Sequence, residues 1–480
     1  MFDPPYPAGL PIGAEWVSTP DTAPVVFPYD GSLVAEAPVG DVRLARRAVD
    51  AAVAVRHRVA ALPSHVRRAV LTGVGEAIAE HRAEFERLLV AETGKPLADC
   101  RVEVARTLVT WQAAAEEVAR LHGETVPLDL LPSGEGLLGF WTRRPVGVVV
   151  GIAGFNYPLL LASHKIAPAI AAGCPVVTKS APATPLATLW LVHLVRTAAE
   201  RAGAPVELAQ LVTGDADVGS ALVTDARVGA VSFTGSAAVG HRIARAAAPR
   251  KTLLELGSNT ALVVAADADL DAAADAVLRG GFYASGQACI SVQRVLVVDE
   301  VADELVGRVL DRLPEVAPGD PREESTRVSA LIDERSTQRV LRWIDAAVEA
   351  GARIAGGGGR TGRVLNPTVL TGVPGGTECW DEEIFGPVVC VRRVADVDAA
   401  LDEVNASRYG LHASVYTGSL ATAFAAIETL DVGGVVINEV PGFRSDTMPY
   451  GGVKDSGIGR EGPRFAVEEL TVTRMAVIRP

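Results

Sequence analysis

The sequence predicts an α/β protein of more than one domain, built on parallel sheets with helices on both faces. Three observations carry this. With 480 residues the chain exceeds the roughly 250–300 residues at which a single hydrophobic core stops growing. Between Val146 and Val264 short apolar runs alternate with helical segments, and a similar alternation resumes from Leu296 to Val394. Those runs are apolar at nearly every position, as strands covered on both faces must be.

The elements follow in order. Residues 1–40, rich in Pro and Gly around a Tyr29-Asp30-Gly31 turn, predict short strands or irregular structure. From Val42 to Glu124 the pattern is helical. Ser64, after Pro63, is placed to cap one long helix with apolar residues at Val66, Val70, Val74 and Ile78, ended by Thr93-Gly94-Lys95-Pro96. A second amphipathic run, Leu97 to Leu121, carries Glu103 and Arg106. After Pro132-Ser133-Gly134 strand chemistry takes over, with one strand expected from Trp141 to Val150. Then come a strand at Cys174–Lys179, a helix at Leu186–Ala202, and strands at Leu208–Thr213 and Gly229–Phe233. The glycine run Gly356–Gly359 interrupts the later α/β stretch.

Composition excludes several classes. Hydrophobic residues make up 49% and charged residues 21%, which is globular rather than disordered. A formal charge of −13, with no long basic run, argues against nucleic acid as a partner. Met1-Phe2-Asp3-Pro4-Pro5 lacks a secretory signal, and the longest apolar stretch, Val146 to Gly154, is far too short for a membrane span. Five cysteines in no regular framework fit a reducing compartment, and no metal site is expected. A cytoplasmic protein is the expectation.

Two short motifs carry the chemistry. Gly286-Gln287-Ala288-Cys289 follows Glu255-Leu256-Gly257-Ser258-Asn259 along the chain. A cysteine needs only thiolate character to attack a carbonyl carbon, and a carboxylate is a fitting base for the water that releases a thioester. Buried cysteine is more often a small hydrophobe, but Cys289 stands among small residues that let a ligand approach. Cys174, in an Ala/Pro/Val run, reads as core; Cys379 and Cys390 have no evident base. A glutamate at a strand end is usually solvated; the apolar flanks of Glu255 would raise its pKa by desolvation, as a base near neutrality requires.

Other motifs are weaker alone. Phe233-Thr234-Gly235-Ser236-Ala237-Ala238-Val239-Gly240 follows an apolar strand and opens a helix whose N–H groups suit a pyrophosphate, although the chain lacks GxGxxG there. Lys179 ends a strand at the same crevice if the sheet is parallel; strand-end lysines are otherwise commonly solvated. Ala153-Gly154-Phe155-Asn156-Tyr157-Pro158 offers an amide donor for an oxyanion, or simply a turn. Glu382-Glu383-Ile384-Phe385-Gly386-Pro387-Val388 pairs an acid with an aromatic and a turn.

Taken together and in this order, these motifs resemble the aldehyde dehydrogenase superfamily from about residue 25 to the C-terminus, as do Asn405–Leu411 and Pro449–Gly457. The resemblance implies that Cys289 attacks an aldehyde to give a thiohemiacetal, with the oxyanion held by the Asn156 amide and the Cys289 backbone N–H. Hydride passes to the nicotinamide of NAD or NADP, and Glu255 activates the water that hydrolyses the thioester. It further implies that Lys179 contacts the adenosine ribose, Gly235 and Ser236 the pyrophosphate, and Glu383 and Phe385 the nicotinamide ribose. Ala153, Phe155, Pro182, Gly214, Phe233, Val239 and Leu256 are placed along the same cofactor.

The sequence departs from the family pattern in three places. Pro182 stands where strictly NAD-preferring members often have a ribose-chelating glutamate, so neither dinucleotide is repelled. Ser258 replaces a commoner glycine, which questions the local backbone. Ala288 occupies the place of an arginine found in oxidisers of phosphorylated or phosphonate aldehydes. Arg106, His164 and Arg444 resemble the branch that oxidises lactaldehyde, glyceraldehyde-3-phosphate and phosphonoacetaldehyde, which implies a small polar or anionic aldehyde; structural ion pairs and a packed histidine are the competing reading. A CoA-acylating or phosphorylating semialdehyde dehydrogenase, and a non-catalytic dinucleotide-binding protein, are the functional alternatives.

The implied fold is a Rossmann-like cofactor domain (residues 1–126 and 147–256), an α/β catalytic domain (257–455), and a small β oligomerisation arm (127–146 and 456–480). Exposed strand edges on the arm predict a homodimer or homotetramer.

Overall fold

A computed structural model describes residues 2–480. Two short N-terminal hairpins, Leu10–Ile12 with Glu15–Val17 and Thr22–Val26 with Leu33–Pro38, precede four helices. These are α1 (Val42–Ala60), α2 (Ser64–Glu80), α3 (Arg82–Thr93) and α4 (Leu97–Glu117). The single helix expected from Ser64 is two. The Val70, Val74, Ile78 stripe is buried as expected, but the backbone breaks at His81. Ser64 is not a cap: Pro63 holds that position, and the Ser64 hydroxyl accepts from Arg67 instead. Gly94 closes α3 in the left-handed conformation, at φ 71°, as its position foretold.

The first large sheet is built from β1 (Val148–Ile152), β2 (Val176–Lys179), β3 (Ala209–Val212), β4 (Val228–Thr234) and β5 (Lys251–Glu255). Between them run α5 (Pro158–Ala172), α6 (Leu186–Arg201), α7 (Ala216–Thr224) and α8 (Ala237–Ala247). The second sheet comprises β6 (Ala261–Val264), β7 (Arg294–Val298), β8 (Arg353–Gly356), β9 (Thr368–Thr371), β10 (Val388–Val394), β11 (His412–Tyr416) and β12 (Gly434–Ile437). Helix α9 (Leu270–Phe282) crosses from β6 to β7. A short strand β13 (Gly457–Ile458) returns to the first sheet.

Strand order is β13-β5-β4-β1-β2-β3 in the first sheet and β8-β9-β10-β7-β6-β11-β12 in the second. Both are parallel except at the edge strands β13 and β8. The first-sheet register sets Lys179 opposite Ile152, Ile152 opposite Phe233, and Thr234 opposite Glu255. Residues scattered over a hundred positions thus share one carboxyl edge. The chain runs from β1 outward through β2 and β3, then returns to lay β4 on the other side of β1. Loops leaving β1 and β4 therefore diverge and open a crevice, where ligands bind in open α/β sheets.

Two buried glutamates of the N-terminal helices tie this sheet's crossover helices down. Neither α5 nor α6 has a side-chain cap of its own. Glu103 of α4 accepts from the Leu159 and Leu160 N–H groups at the start of α5. Glu92 of α3 accepts from Leu186 and Ala187 at the start of α6, and burial pushes its carboxyl up to about 8. Each carboxylate satisfies orphan donors and meets the positive end of a helix dipole.

The strand expected from Trp141 to Val150 is also two. Leu138–Pro145 pairs with Glu124–Val126 and with Thr471–Ile478 in a separate three-stranded sheet. Gly147, at φ 110°, turns the chain so that β1 can enter the first sheet. Residues 456–470, grouped with the arm by sequence, pack elsewhere: β13 pairs with β5, and α10 (Pro463–Glu469) lies on α4 and α5. An apolar helical face at Ala466 and Val467 has more to bury there than on an exposed ribbon. Among the described residues no helix is long and apolar enough to cross a membrane.

Candidate active site

Cys289 is carried by a strained strap. After α9 the chain passes Ala284 and Ser285 at φ 49° and 58°, then Gly286 at φ 72°. Left-handed alanine and serine are costly, so surrounding contacts must hold them. Half-buried Asp99 accepts from the Ala284 N–H at 2.9 Å, and the Ser285 hydroxyl accepts from Ser329 N–H at 2.9 Å. At Gly286 a Cβ would lie 2.1 Å from the Gly386 carbonyl oxygen, so only glycine fits. Gln287 is held at both ends: its side-chain oxygen accepts from Ile332 N–H at 3.0 Å and its carbonyl from Asn156 Nδ2 at 2.8 Å.

The strap delivers the Cys289 sulfur, half-buried, into a cavity of about 310 Å³. Asn156, Glu255, Glu383 and Phe385 line the same cavity, with Phe155, Gly235, Ser236, Leu256, Arg106 and Arg444. Five of the motifs named from sequence therefore meet in one space. Burial pushes the Cys289 thiol up to about 11; a hydrogen bond from Tyr450 pulls the other way, while Glu383 and Glu255 add to the rise. The Cys289 backbone N–H has no acceptor among the described residues. Asn156 spends one amide hydrogen on Gln287, leaving the second for the cavity.

Glu255 ends β5, buried, with Oε2 unpartnered. Burial first, and then the charge of Glu461, hold its carboxyl well above the ordinary range against the pull of Lys165, Arg444 and Arg460. Glu383 accepts from Ser258 N–H at 3.0 Å, and burial pushes it up to about 7. Its Oε2 lies 2.6 Å from where a Cβ on Gly257 would stand, so a side chain there would push the Glu383 carboxyl aside. Ser258 keeps an ordinary negative φ, and its hydroxyl bonds Thr260 at 3.0 Å. The doubt raised by the missing glycine there is removed.

The surroundings fit a dinucleotide. Ser236 caps α8 by backbone only, so the first-turn N–H groups of an 11-residue helix face the crevice without a side-chain partner. A Cβ at Gly235 would lie 2.5 Å from the Phe233 ring. Phe155 and Phe385 meet edge to face, ring centres 5.8 Å apart. Phe233 itself, Ala153, Lys179, Pro182, Gly214 and Val239 do not line the cavity around Cys289. Ala153 is tied to the neighbouring strand by its N–H donating to the Lys179 carbonyl. Lys179 has no carboxylate partner, donates only to Ser180 O at 3.3 Å, and is lowered by burial. Pro182 is exposed, and Gly214 leaves room for Gly40 O and Val218.

Of the three residues assigned to substrate, Arg106 and Arg444 line the cavity. Arg106 grips Asp446 with two bonds of 3.0 and 2.8 Å. Arg444 stacks on the Tyr450 ring at 3.7 Å, with Nη2 3.4 Å from Glu461, and its buried Nε has no hydrogen-bond partner. His164 does not reach the cavity: its buried ring lies between Asp446 (3.4 Å) and Glu461 (3.1 Å). That position fits the competing reading, a packed histidine on a helix buried along its whole length. Burial would raise Asp446, but hydrogen bonds from His164 and Arg106 hold it well below the carboxylate range. Glu461 is likewise held low against its burial, by Lys165 foremost, with which it is in close contact.

Sequence reading did not single out Tyr157, Tyr283 and Tyr450 on the cavity wall, nor Asp446, Glu461 and Lys165 behind it. Tyr157 and Tyr450 each sit inside a quoted motif, which was the available signal.

The sequence profile of the aldehyde dehydrogenase family matches residues 16–476. A 3-sulfolactaldehyde dehydrogenase of Priestia megaterium is 38% identical over 471 residues, covering 98% of each chain. Among solved structures, aldehyde dehydrogenase 21 of Physcomitrella patens, in complex with the reaction product succinate, superposes with a TM-score of 0.95 at 35% identity over 98% of each chain. Glyceraldehyde-3-phosphate dehydrogenase GapN of Methanocaldococcus jannaschii, complexed with NADP, gives a TM-score of 0.91 at 34% identity, covering 95% of this chain and 99% of that one.

Proposed function

The chain belongs to the aldehyde dehydrogenase family, and on that premise we propose that it oxidises a small polar or anionic aldehyde to the acid through Cys289. The reaction is an NAD(P)-dependent oxidation. One observation carries the assignment of roles: Cys289, Asn156, Glu255 and Glu383 line a single cavity at the carboxyl edge of a parallel sheet.

The Cys289 sulfur attacks the aldehyde carbon. The resulting oxyanion accepts from the free amide hydrogen of Asn156 and from the Cys289 N–H, donors whose loss typically costs about 10²–10³ in rate. When bound, the dinucleotide would supply the hydride acceptor. Ser236 and the first turn of α8 would hold its pyrophosphate, Glu383 and Phe385 its nicotinamide ribose, and Lys179 its adenosine ribose, with no glutamate at Pro182 to repel a 2′-phosphate. Glu255 then takes a proton from the water that hydrolyses the thioester. Its raised pKa and unpartnered Oε2 support that task. Arg444, less fully paired than Arg106, is the cation for an anionic tail.

Glu255 disfavours transfer of the thioester to CoA, and the intact Cys289, Asn156 and Glu255 set disfavours a non-catalytic role. Reduced dinucleotide formation with 3-sulfolactaldehyde, lactaldehyde, glyceraldehyde-3-phosphate and a long aliphatic aldehyde, each with NAD and NADP, tests the reading. The small polar substrates turn over and Cys289→Ala does not. Preference for the long aldehyde, or activity without Cys289, would overturn it.

The domain division we propose keeps residues 127–146 and 471–480 as the arm and moves 456–470 to the cofactor domain. The arm's outer strand exposes Val472, Met475, Val477 and Ile478, which supports a homodimer or homotetramer. Five free cysteines support a reducing, cytoplasmic setting.

A further inference from the structure

We propose that the Tyr450 hydroxyl is a catalytic group, donating a hydrogen bond to the Cys289 sulfur and holding it as the thiolate that attacks the aldehyde. The inference rests on the assignment of Cys289 as nucleophile.

The geometry is direct. Tyr450 Oη lies 3.1 Å from Cys289 Sγ, and no other hydrogen bond of that hydroxyl exists among the described residues. The ring is 2% exposed and clamped, with the Arg444 guanidinium 3.7 Å above it and the His412 ring edge-on at 5.1 Å. Its backbone is paired in both directions with Glu461. A phenol so fixed cannot turn elsewhere for a partner.

The direction of donation follows from chemistry. A thiolate has no proton to give, so in the reactive state only the phenol donates. Burial holds the Tyr450 pKa well above its ordinary value, so the phenol keeps its proton where the sulfur loses one.

The sulfur needs such help. The charged and titratable groups that face it are Glu255 from the end of β5, Glu383 from the segment before β10, Tyr283 from the end of α9, and Arg444 and Tyr450 from the segment after β12. Two of these are carboxyl groups that oppose a negative sulfur. Of the arginines lining the cavity, Arg106 is spent on Asp446 and Arg339 on the Ile384 carbonyl, and Arg444, the cation that acts on the sulfur, divides its charge between Glu461 and Asp446. Tyr450 is left as the donor in direct contact, and hydrogen bonds to ionised groups are the strong ones.

The test is the pH dependence of iodoacetamide alkylation at Cys289, read by peptide mass spectrometry, beside the pH profile of kcat/KM. Tyr450→Phe keeps the ring and removes only the hydroxyl. The alkylation midpoint is expected to move up by about one pH unit, and kcat/KM to fall about tenfold at neutral pH and recover as pH rises. Fluorotyrosine at position 450, a stronger donor of nearly the same shape, moves the midpoint down, and serves even if the phenylalanine variant folds poorly. Superimposable alkylation curves for all three proteins, or a loss of kcat/KM that is constant with pH, overturn the proposal. Full turnover after complete alkylation of Cys289 would instead overturn the nucleophile assignment beneath it.

Discussion

At the scale of single residues, the site depends on two carboxyl groups whose pKa values are driven in opposite directions. Burial, and then the charge of Glu461, raises Glu255, whereas Glu461 is lowered against its own burial by Lys165, His164 and Arg444. Such separation is how one pocket comes to hold a poised acid or base. Glu255→Gln is expected to acylate normally and then stall, giving one burst of reduced dinucleotide and an acyl-Cys289 species visible in the intact mass. Steady turnover in that variant would rule Glu255 out as the deacylating base. Asp446 gives a second, pH-dependent expectation. Its folded pKa is depressed, so its stabilisation is present above the ordinary value of about 3.9 and is lost as pH falls through the lower folded value. Asp446→Asn should therefore unfold more readily in urea at neutral pH, with the gap to the parent narrowing below about pH 4.

At the scale of elements, helix α5 is the piece on which most depends. The Asn156 turn leads into it, its first N–H groups rest on Glu103, and Glu103 is in turn paired with Lys95 in a fully buried contact. Lys95 also lies 3.6 Å over the Tyr157 ring, on the cavity wall. Breaking the pair by Glu103→Ala strands a buried ammonium and uncaps α5, an expected loss of about 3–5 kcal/mol in urea unfolding. The double variant Lys95→Met/Glu103→Gln keeps an oxygen for the Leu159 and Leu160 N–H groups and removes both charges, and should recover most of that loss. A double variant as weak as Glu103→Ala would show that the charge pair itself is the stabilising feature.

At the scale of the whole molecule, two parallel sheets present their loops to one cleft, and a third small sheet extends from the body. The arm's edge strand Thr471–Ile478 has an unpaired side and four exposed apolar residues. A chain ending at Leu470 should sediment as a smaller species than the parent while keeping dinucleotide binding. Unchanged sedimentation would remove the arm from the assembly.

How much of this was legible differs from one feature to the next. Local chemistry read true at several positions where a residue acts through its own backbone, though not at Ser64. Gly94 stops a helix, Gly286 allows close approach, and unbroken apolar runs become buried parallel strands. The helix break at His81 and the turn at Gly147 went unread, because a period carried across a kink looks continuous in one dimension. The role of His164 went unread for a related reason: a histidine on an apolar helix face looks the same whether it meets a ligand or a buried carboxylate.

Order along the chain was enough to determine the reaction class and to nominate the residues proposed to bear it, since nucleophile, amide and carboxylate each sit in a short stretch with its own signature. Tertiary structure alone decided what surrounds them: that Tyr450 touches the sulfur, that Asp99 braces the strap, and that Arg444 is less fully paired than Arg106. The first two of these contacts join residues 161 and 185 positions apart, and the pairing of the arginines depends on distance and burial, neither of which sequence separation reports.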